Sequence, residues 1–253
     1  MKKSIIIVIV VILLGSFVKG QSNLTPYLDS AQTAYANNDF KNSVRLYLRV
    51  VEHGYESPQI FYNIGNGYYK QMKIANAVLW YQKALQIDPT YEDAIANLKL
   101  AQELIVDKID PITPPFYKRW YKNMMLWFSP NTWALTTLGS FLLFTIALFI
   151  LFSNIENKLR GLSMPIGILA FILSVGSFFI SKSAYNYVTN RSLGVVMSPS
   201  VTIRSTPYEE GTKLFTIHEG LTINITTEVE GWYEIRLEDG RVGWLMTKDV
   251  EAI

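Results

Sequence analysis

Two long stretches without a charged side chain limit what this chain can fold into. Residues 133–152 and 162–180 are uncharged and dominated by Leu, Ile and Phe. A helix needs about 20 apolar residues to cross the roughly 30 Å hydrocarbon layer of a bilayer, and each run has that length. The link between them, SNIENKLRG, is too short to hold a domain. The pair therefore predicts a transmembrane hairpin over residues 132–181, with the lipid bilayer as its solvent. Pro165 falls in the first turn of the second span, where its missing N–H is harmless. Ala170 and Ser174 offer a small face for close packing against the first span. With 49% hydrophobic residues and a positive mean hydropathy, the 253-residue chain is too apolar to be wholly soluble. It has no Cys, which excludes a disulfide framework, a thiolate zinc site, a thiol nucleophile and a lipoprotein anchor.

The start of the chain predicts export. Lys2 and Lys3 precede an apolar run from Ile5 to Leu14, and small residues follow it. This is the layout of a signal peptide over residues 1–20, with Val18 and Gly20 at −3 and −1 of a cut before Gln21. An uncleaved anchor is the alternative, and it exports the following residues equally. Two further spans return the chain to the side it left, so both polar regions are expected outside. Lys158 and Arg160 mark the short loop as cytoplasmic, although Lys118, Arg119, Lys122, Lys182 and Arg191 flank the spans on the other side. Counting Lys and Arg against Asp and Glu gives +6 for residues 111–192, −2 for 21–110 and −5 for 193–253. Both polar regions are thus mildly acidic, which argues against a nucleic-acid partner, since that needs a basic face on a folded domain.

Residues 58–89 read as two helical patterns joined by a polar turn and closed by Pro89, which cannot continue a helix. Phe61, Ile64, Gly65 and Tyr68 share one face of the first helix. Ala77, Tyr81 and Ala84 share one face of the second, and the small residues let the helices approach closely. Phe40, Ser43, Val44 and Tyr47 stand 34 residues before Ile74, Ala77, Val78 and Tyr81. Ala31 and Tyr35 precede Gly65 and Tyr69 by the same interval. At this period the pattern resembles the tetratricopeptide repeat, TPR. The resemblance implies a small α-solenoid over residues 24–110, with repeats 24–57 and 58–91. Ile95, Leu98, Ala101, Leu104 and Ile105 continue one stripe and predict a capping helix over 92–109. The first helix of each TPR lines the inner groove, here Leu28, Gln32 and Tyr35, then Tyr62, Asn63, Asn66, Tyr69 and Lys70. These are polar-aromatic and lack the converging Lys and Arg of a carboxylate clamp. A segment of another protein is the expected ligand, with Tyr62, Asn63, Asn66 and Tyr69 as its candidate contacts; a merely solvated face is the alternative.

Beyond a Pro-rich break at 110–115, residues 116–128 place Phe116, Tyr117, Trp120, Met124, Trp127 and Phe128 at helical spacing beside Lys118, Arg119 and Lys122. That mixture suits a helix lying in a membrane interface, and a buried core helix is the alternative. Residues 195–253 change to a period of two. Val201 and Ile203 alternate, as do Leu221, Ile223 and Ile225, then Tyr233, Ile235 and Leu237, then Val242 and Trp244, with turn residues between. Five or six short strands are expected to form a small barrel. The segments LFTIHEG, GWYEI and DGRVGWL resemble a bacterial SH3 (SH3b) domain. This places Trp244 in the core, Trp232 near the surface, and Tyr208, Trp232 and Tyr233 as a candidate aromatic peptide groove. The alternative is that Trp232 only plugs the barrel end. His53 and His218 each sit near a turn glycine and belong to no metal-spaced cluster. No phosphate loop and no plausible triad base occur, so neither an enzyme nor a cofactor is expected.

The whole order is a signal, a TPR pair, NLKLAQ followed by DKID, the aromatic RWY stretch, a membrane hairpin and SH3b. It resembles the BatE family, the TPR and SH3 membrane proteins of bacterial aerotolerance (Bat) operons. The resemblance implies a scaffold at the bacterial inner (cytoplasmic) membrane, with its TPR and SH3b regions on the periplasmic side. It also implies membrane partners bearing von Willebrand A domains and a link to oxygen or stress tolerance. Two other readings stay open: a cell-wall module whose SH3b domain holds peptidoglycan peptides, and a sensor signalling through the short loop. The expected fold class is thus multidomain: α-solenoid, two-helix membrane hairpin and small β-barrel.

Overall fold

The computed structural model describes residues 24–153, 157–189 and 192–253. The expected signal peptide at 1–20 lies outside them. The chain divides into two compact units, Met1–Tyr55 and Glu56–Ile253.

In the first unit, helices α1 (Thr25–Ala36) and α2 (Phe40–Glu52) form a hairpin. Ala31, Ser43, Val44, Tyr47 and Val50 are buried, and the Ser43 hydroxyl donates to the Ala31 carbonyl at 2.8 Å. Asp39 starts α2 by accepting from the Asn42 N–H at 3.2 Å, the usual role of an acidic N-cap.

The second unit opens with α3 (Pro58–Lys70), α4 (Ile74–Ile87) and α5 (Glu92–Gln102). Ser57 caps α3 through the Ile60 N–H at 3.2 Å and Pro58 follows it, so both start signals written in the sequence are used. The 34-residue repeat is visible in the backbone. Asn38 and Met72, one period apart, both turn with positive φ, 61° and 59°. Each turn is closed by matching bonds, Asn38 N to Tyr35 O and Met72 N to Tyr69 O, both 3.0 Å. Asn tolerates this left-handed corner and Met does not. Met72→Asn should therefore stabilise the hairpin by about 0.5–1 kcal/mol, read as a higher melting temperature. At the α3–α4 crossing, a Cβ on Gly65 would stand 2.6 Å from the Tyr81 ring. Glycine is what lets a fully buried tyrosine lie flat against the facing helix.

The expected capping helix over 92–109 is shorter. It ends at Gln102, and residues 103–115 leave it without regular structure. Ile105 continues the helical stripe on paper, but it packs into the core of the β-sheet instead, and Ile109 packs there with it. Burial in a neighbouring core outweighs one more turn of helix, whose propensity is worth only tenths of a kcal/mol per residue. Asp107 between them accepts from the His218 N–H at 2.6 Å and pairs with its Nδ1 at 3.0 Å. Ile112 N donates to Glu238 O at 3.0 Å. This strap binds α5 to the sheet.

The strands are β1 (Leu193–Val196), β2 (Ser200–Arg204), β3 (Lys213–His218), β4 (Thr222–Val229), β5 (Trp232–Arg236), β6 (Val242–Met246) and β7 (Val250–Ala252). They form an antiparallel seven-stranded sheet in the order β3-β2-β6-β5-β4-β1-β7. Five or six strands were legible because β1 and β7 are short. The sheet is not closed by hydrogen bonds, with β3 and β7 at its edges, yet one core takes Val196, Ile203, Ile217, Ile223, Leu245 and Val250 from strands across it. Trp244 is a correction. It is half-buried, while Leu245 beside it is fully buried. The alternation on β6 runs through Gly243 and Leu245, one residue out of step with the Val242–Trp244 expectation, because Gly243 must lie against Ile203 and the Arg204 carbonyl. β1 and β7 also meet the helical repeat: Val195 joins the buried cluster of Ala77, Val78, Tyr81 and Leu98, with Met197 and Ile253 packed on it.

Between strap and sheet come α6 (Phe116–Met125), α7 (Pro130–Phe152) and α8 (Asn157–Thr189). Helices α7 and α8 are both long and apolar enough to cross a membrane. They pack along a seam of small residues on α8: Ser163, Gly167, Ala170, Ser174, Ser177 and Ala184 are all buried. From Ser163 to Ser177 the spacing alternates between four and three, and Ala184 follows one heptad later, a repeat that keeps one face on the partner helix. The expected Ala170–Ser174 pair lies on it. Thr137 and Ser177 hydroxyls share a hydrogen bond of 2.9 Å across the seam, and a Cβ on Gly167 would be 3.1 Å from that of Ala147. The second helix runs past residue 180, where the uncharged stretch ends, and its last two turns receive α6. Met125, Trp133 and Ala184 form a small core there, and the Trp133 indole donates to Met125 O at 3.0 Å.

Candidate partner-binding surfaces

Helix α3 carries Tyr62, Asn63, Asn66 and Tyr69 at helical spacing, so i, i+4 and i+7 align Tyr62, Asn66 and Tyr69 as expected. Their surroundings differ from an open groove. The Asn66 side-chain oxygen accepts from the Tyr81 hydroxyl and from the Asn97 amide, both at 2.8 Å. Asn97 also donates to the Tyr62 hydroxyl at 3.2 Å. The Tyr62 ring stands edge-on to Tyr91 at 5.3 Å and tilted to Tyr81 at 6.0 Å. Burial first, then Asp93, the Tyr62 hydroxyl and Asp88, hold the Tyr91 phenol above its ordinary pKa. The hydrogen-bond network runs from Tyr81 through Asn66 to Asn97 and Tyr62. It ties α3, α4 and α5 together, so Asn66 is first a structural residue. Asn66→Ala would remove the bonds from the Tyr81 hydroxyl and the Asn97 amide, each typically worth about 0.5–1.5 kcal/mol, and a lower melting temperature is the expected reading.

Asn63 and Tyr69 remain half-exposed on the same helix, with Tyr69 also resting on the α3–α4 core. Leu28, Gln32 and Tyr35 belong to α1 in the other unit. Sequence reasoning passed over Tyr91 and Asn97. Asn97 stands 34 residues after Asn63, and carrying the repeat into α5 would have found it.

On the sheet, Trp232 and Tyr233 are consecutive residues of β5 and point to opposite faces. Tyr233 pairs with the fully buried Leu245 and packs against the core, whereas Trp232 pairs with Met246 on the outer face. Tyr208 lies between β2 and β3 and is exposed. The sheet thus turns Trp232 and Tyr233 to opposite faces rather than presenting them as one patch.

A third surface is apolar. Phe116, Tyr117, Trp120, Trp127 and Phe128 are exposed, beside the exposed cations Lys118, Arg119 and Lys122. Helices α7 and α8 continue this surface with outward Leu, Ile and Phe, including Phe149, Phe152 and Leu169. Soluble monomers rarely expose contiguous apolar area of that extent. As for chemistry, His53 Nδ1 lies 2.6 Å from Arg49 O, and His218 is engaged by Asp107. Among the described residues, no group of three His, Cys, Asp or Glu could hold a metal ion.

Residues 58–91, which contain α3 and α4, match the tetratricopeptide repeat family. No curated protein matches the chain.

Proposed function

We propose that this chain is a membrane-anchored envelope scaffold that uses its TPR helices to hold other membrane proteins. The observation that carries the reading is the union of a tetratricopeptide hairpin and two outwardly apolar helices in one packed unit. TPR hairpins are protein-binding elements, and the apolar helices require lipid around them. The aromatic and basic face of α6 supports an interfacial position at one end of the hairpin. The scaffold reading is of a non-enzymatic protein, and it rests on the binding surfaces described above.

Within that reading, the resemblance to the BatE family supplies the finer proposal. It places the chain in a Bat-type complex at the bacterial inner membrane, with TPR and SH3b-like regions on the exported side. Its partners would be membrane proteins with von Willebrand A domains, and its role would concern aerotolerance or stress resistance. The test is co-purification of partners from detergent-solubilised membranes. Asn63→Ala combined with Tyr69→Ala should abolish partner recovery from a variant whose helical content shows that it still folds, although its melting temperature should fall because Tyr69 also rests on the α3–α4 core. Full recovery from that folded variant would sink the groove as the binding face. The outward Trp232 and exposed Tyr208 favour one second reading, binding of peptidoglycan peptides by the sheet. Trp232→Ala would then lose retention on purified wall fragments while leaving partner recovery intact.

Topology is tested separately. A reporter inserted near Asp110 and one fused after Ile253 should both report the exported side, since two spans lie between them. Opposite sides would end the hairpin reading.

A further inference from the structure

We propose that residues 105–109 of the strap are a tethered ligand. They fill a recognition site on the sheet that also accepts an apolar–acidic–apolar segment of a partner protein. This site is separate from the α3 face and does not rest on it.

Burial along the strap alternates. Ile105, Asp107 and Ile109 are half-buried, while Val106, Lys108 and Asp110 are exposed. That is the period of an extended segment laid on a surface, and it starts just past the end of α5. The two isoleucines pack against a core that contains Ile217, Leu221 and Leu237. Ile105 reaches the turn between β3 and β4, where its Cγ2 is 2.5 Å from the place of a Cβ on Gly220. Between the isoleucines, Asp107 meets the end of β3, an edge strand. One carboxylate oxygen accepts from the His218 N–H at 2.6 Å, and the other lies 3.0 Å from its Nδ1. An edge strand offers unpaired N–H groups to any chain that can accept from them. Here a side-chain carboxylate takes one. Lys108 turns the other way and donates to the Gln102 and Glu103 carbonyls, both at 2.9 Å. Alternate side chains seated beside an edge strand are the means by which sheets recognise extended peptides.

These contacts specify the ligand. Two aliphatic side chains flank one carboxylate, each two residues away from it. A partner segment therefore needs Ile, Leu or Val at both outer positions and an acidic residue at the centre. A neutral centre would lose the charge-assisted bond to the His218 N–H, and a basic one would place a donor against it. The strap is also able to leave. Residues 103–115 carry no regular structure, so lifting them breaks neither a helix nor a strand. A ligand on the same chain acts at an effective concentration on the order of millimolar. The strap thus masks the site, and a partner gains it by displacing the strap.

The test uses the full chain in detergent and a fluorescent synthetic peptide of residues 103–110, ELIVDKID. The parent should bind it weakly, because its own strap holds the site. Ile105→Asp in the chain frees the strap and changes no residue of the sheet. It should bind the peptide at least roughly tenfold more tightly, since the competent fraction rises by that factor. A peptide carrying Asp107→Lys should lose the gain. In the unaltered chain, saturating peptide should speed hydrogen exchange of the Ile112 amide, which is bonded to Glu238 O. That measurement decides the matter even if Ile105→Asp fails to fold. Equal affinity for the parent and Ile105→Asp would overturn the proposal. So would absence of binding to an Ile105→Asp chain whose sheet amides keep their exchange protection. Equal binding of the Asp107→Lys peptide, or Ile112 exchange unmoved by saturating peptide, would do the same. Cross-linking of one copy's strap to another copy's sheet would make the occupant a second copy and overturn the partner.

Discussion

Gly65→Leu is expected to unfold the α3–α4 hairpin. A side chain at that position starts 2.6 Å from two carbons of the Tyr81 ring, and Tyr81 cannot retreat. It is fully buried, lies in the cluster shared with Val195, and is held by the Asn66 oxygen at 2.8 Å. Overpacking a filled core costs about 1–3 kcal/mol in general, and here the clash meets a fixed ring rather than a flexible chain end. For a unit of this size about 1 kcal/mol shifts the melting temperature by roughly 2–4 °C. The full chain in detergent should therefore melt well below the parent, and protease should cut within residues 58–87. Gly65→Ala, which adds only the clashing carbon, should fall between the two. A parent-like melt for Gly65→Leu would mean that the helices do not cross at Gly65.

Ile105→Asp is expected to release the strap from the sheet. Ile105 is half-buried against the β core, and its Cγ2 lies 2.5 Å from where a Cβ on Gly220 would be. Gly220 has φ +86° and its N–H donates to Val196 O at 2.8 Å, so the turn cannot yield. Removing a large aliphatic side chain from such a site forfeits about 1.5–3 kcal/mol, and a carboxylate there adds desolvation without a partner. Opening of residues 103–115 should rise roughly tenfold or more, since each ~1.4 kcal/mol is a factor of ten. Cleavage of the strap by a protease at low concentration measures this. Val106→Asp is the control. Its side chain is 69% exposed, and the same charge there should leave the cleavage rate unchanged. Equal acceleration by both would make the strap an ordinary loose linker.

Much of this architecture could be read from residue types and intervals. The 34-residue period placed Gly65 and Tyr81 at a helix crossing, because a close approach demands a residue without Cβ. The two uncharged runs marked α7 and α8, and period-two alternation marked most of the strands. The candidate sites were less legible. Asn66 looks like a groove residue by spacing, yet Tyr81 and Asn97 both donate to it. Tyr233 and Trp232 look like one aromatic patch, yet a strand turns neighbours to opposite faces, and a one-residue change of phase put Leu245 rather than Trp244 inside.

What local pattern determined was each element by itself: helix, strand, span and turn, since periodicity and capping act over a few residues. The way these elements share their cores was decided by the tertiary structure alone. Ile105 fits a helical stripe and a β core equally well on paper. Only the presence of the sheet resolves that choice, because burial against an existing apolar surface exceeds the small propensity that would have continued the helix. In the same way Val195, a strand residue by pattern, completes the core of a helical repeat more than a hundred residues earlier in the chain.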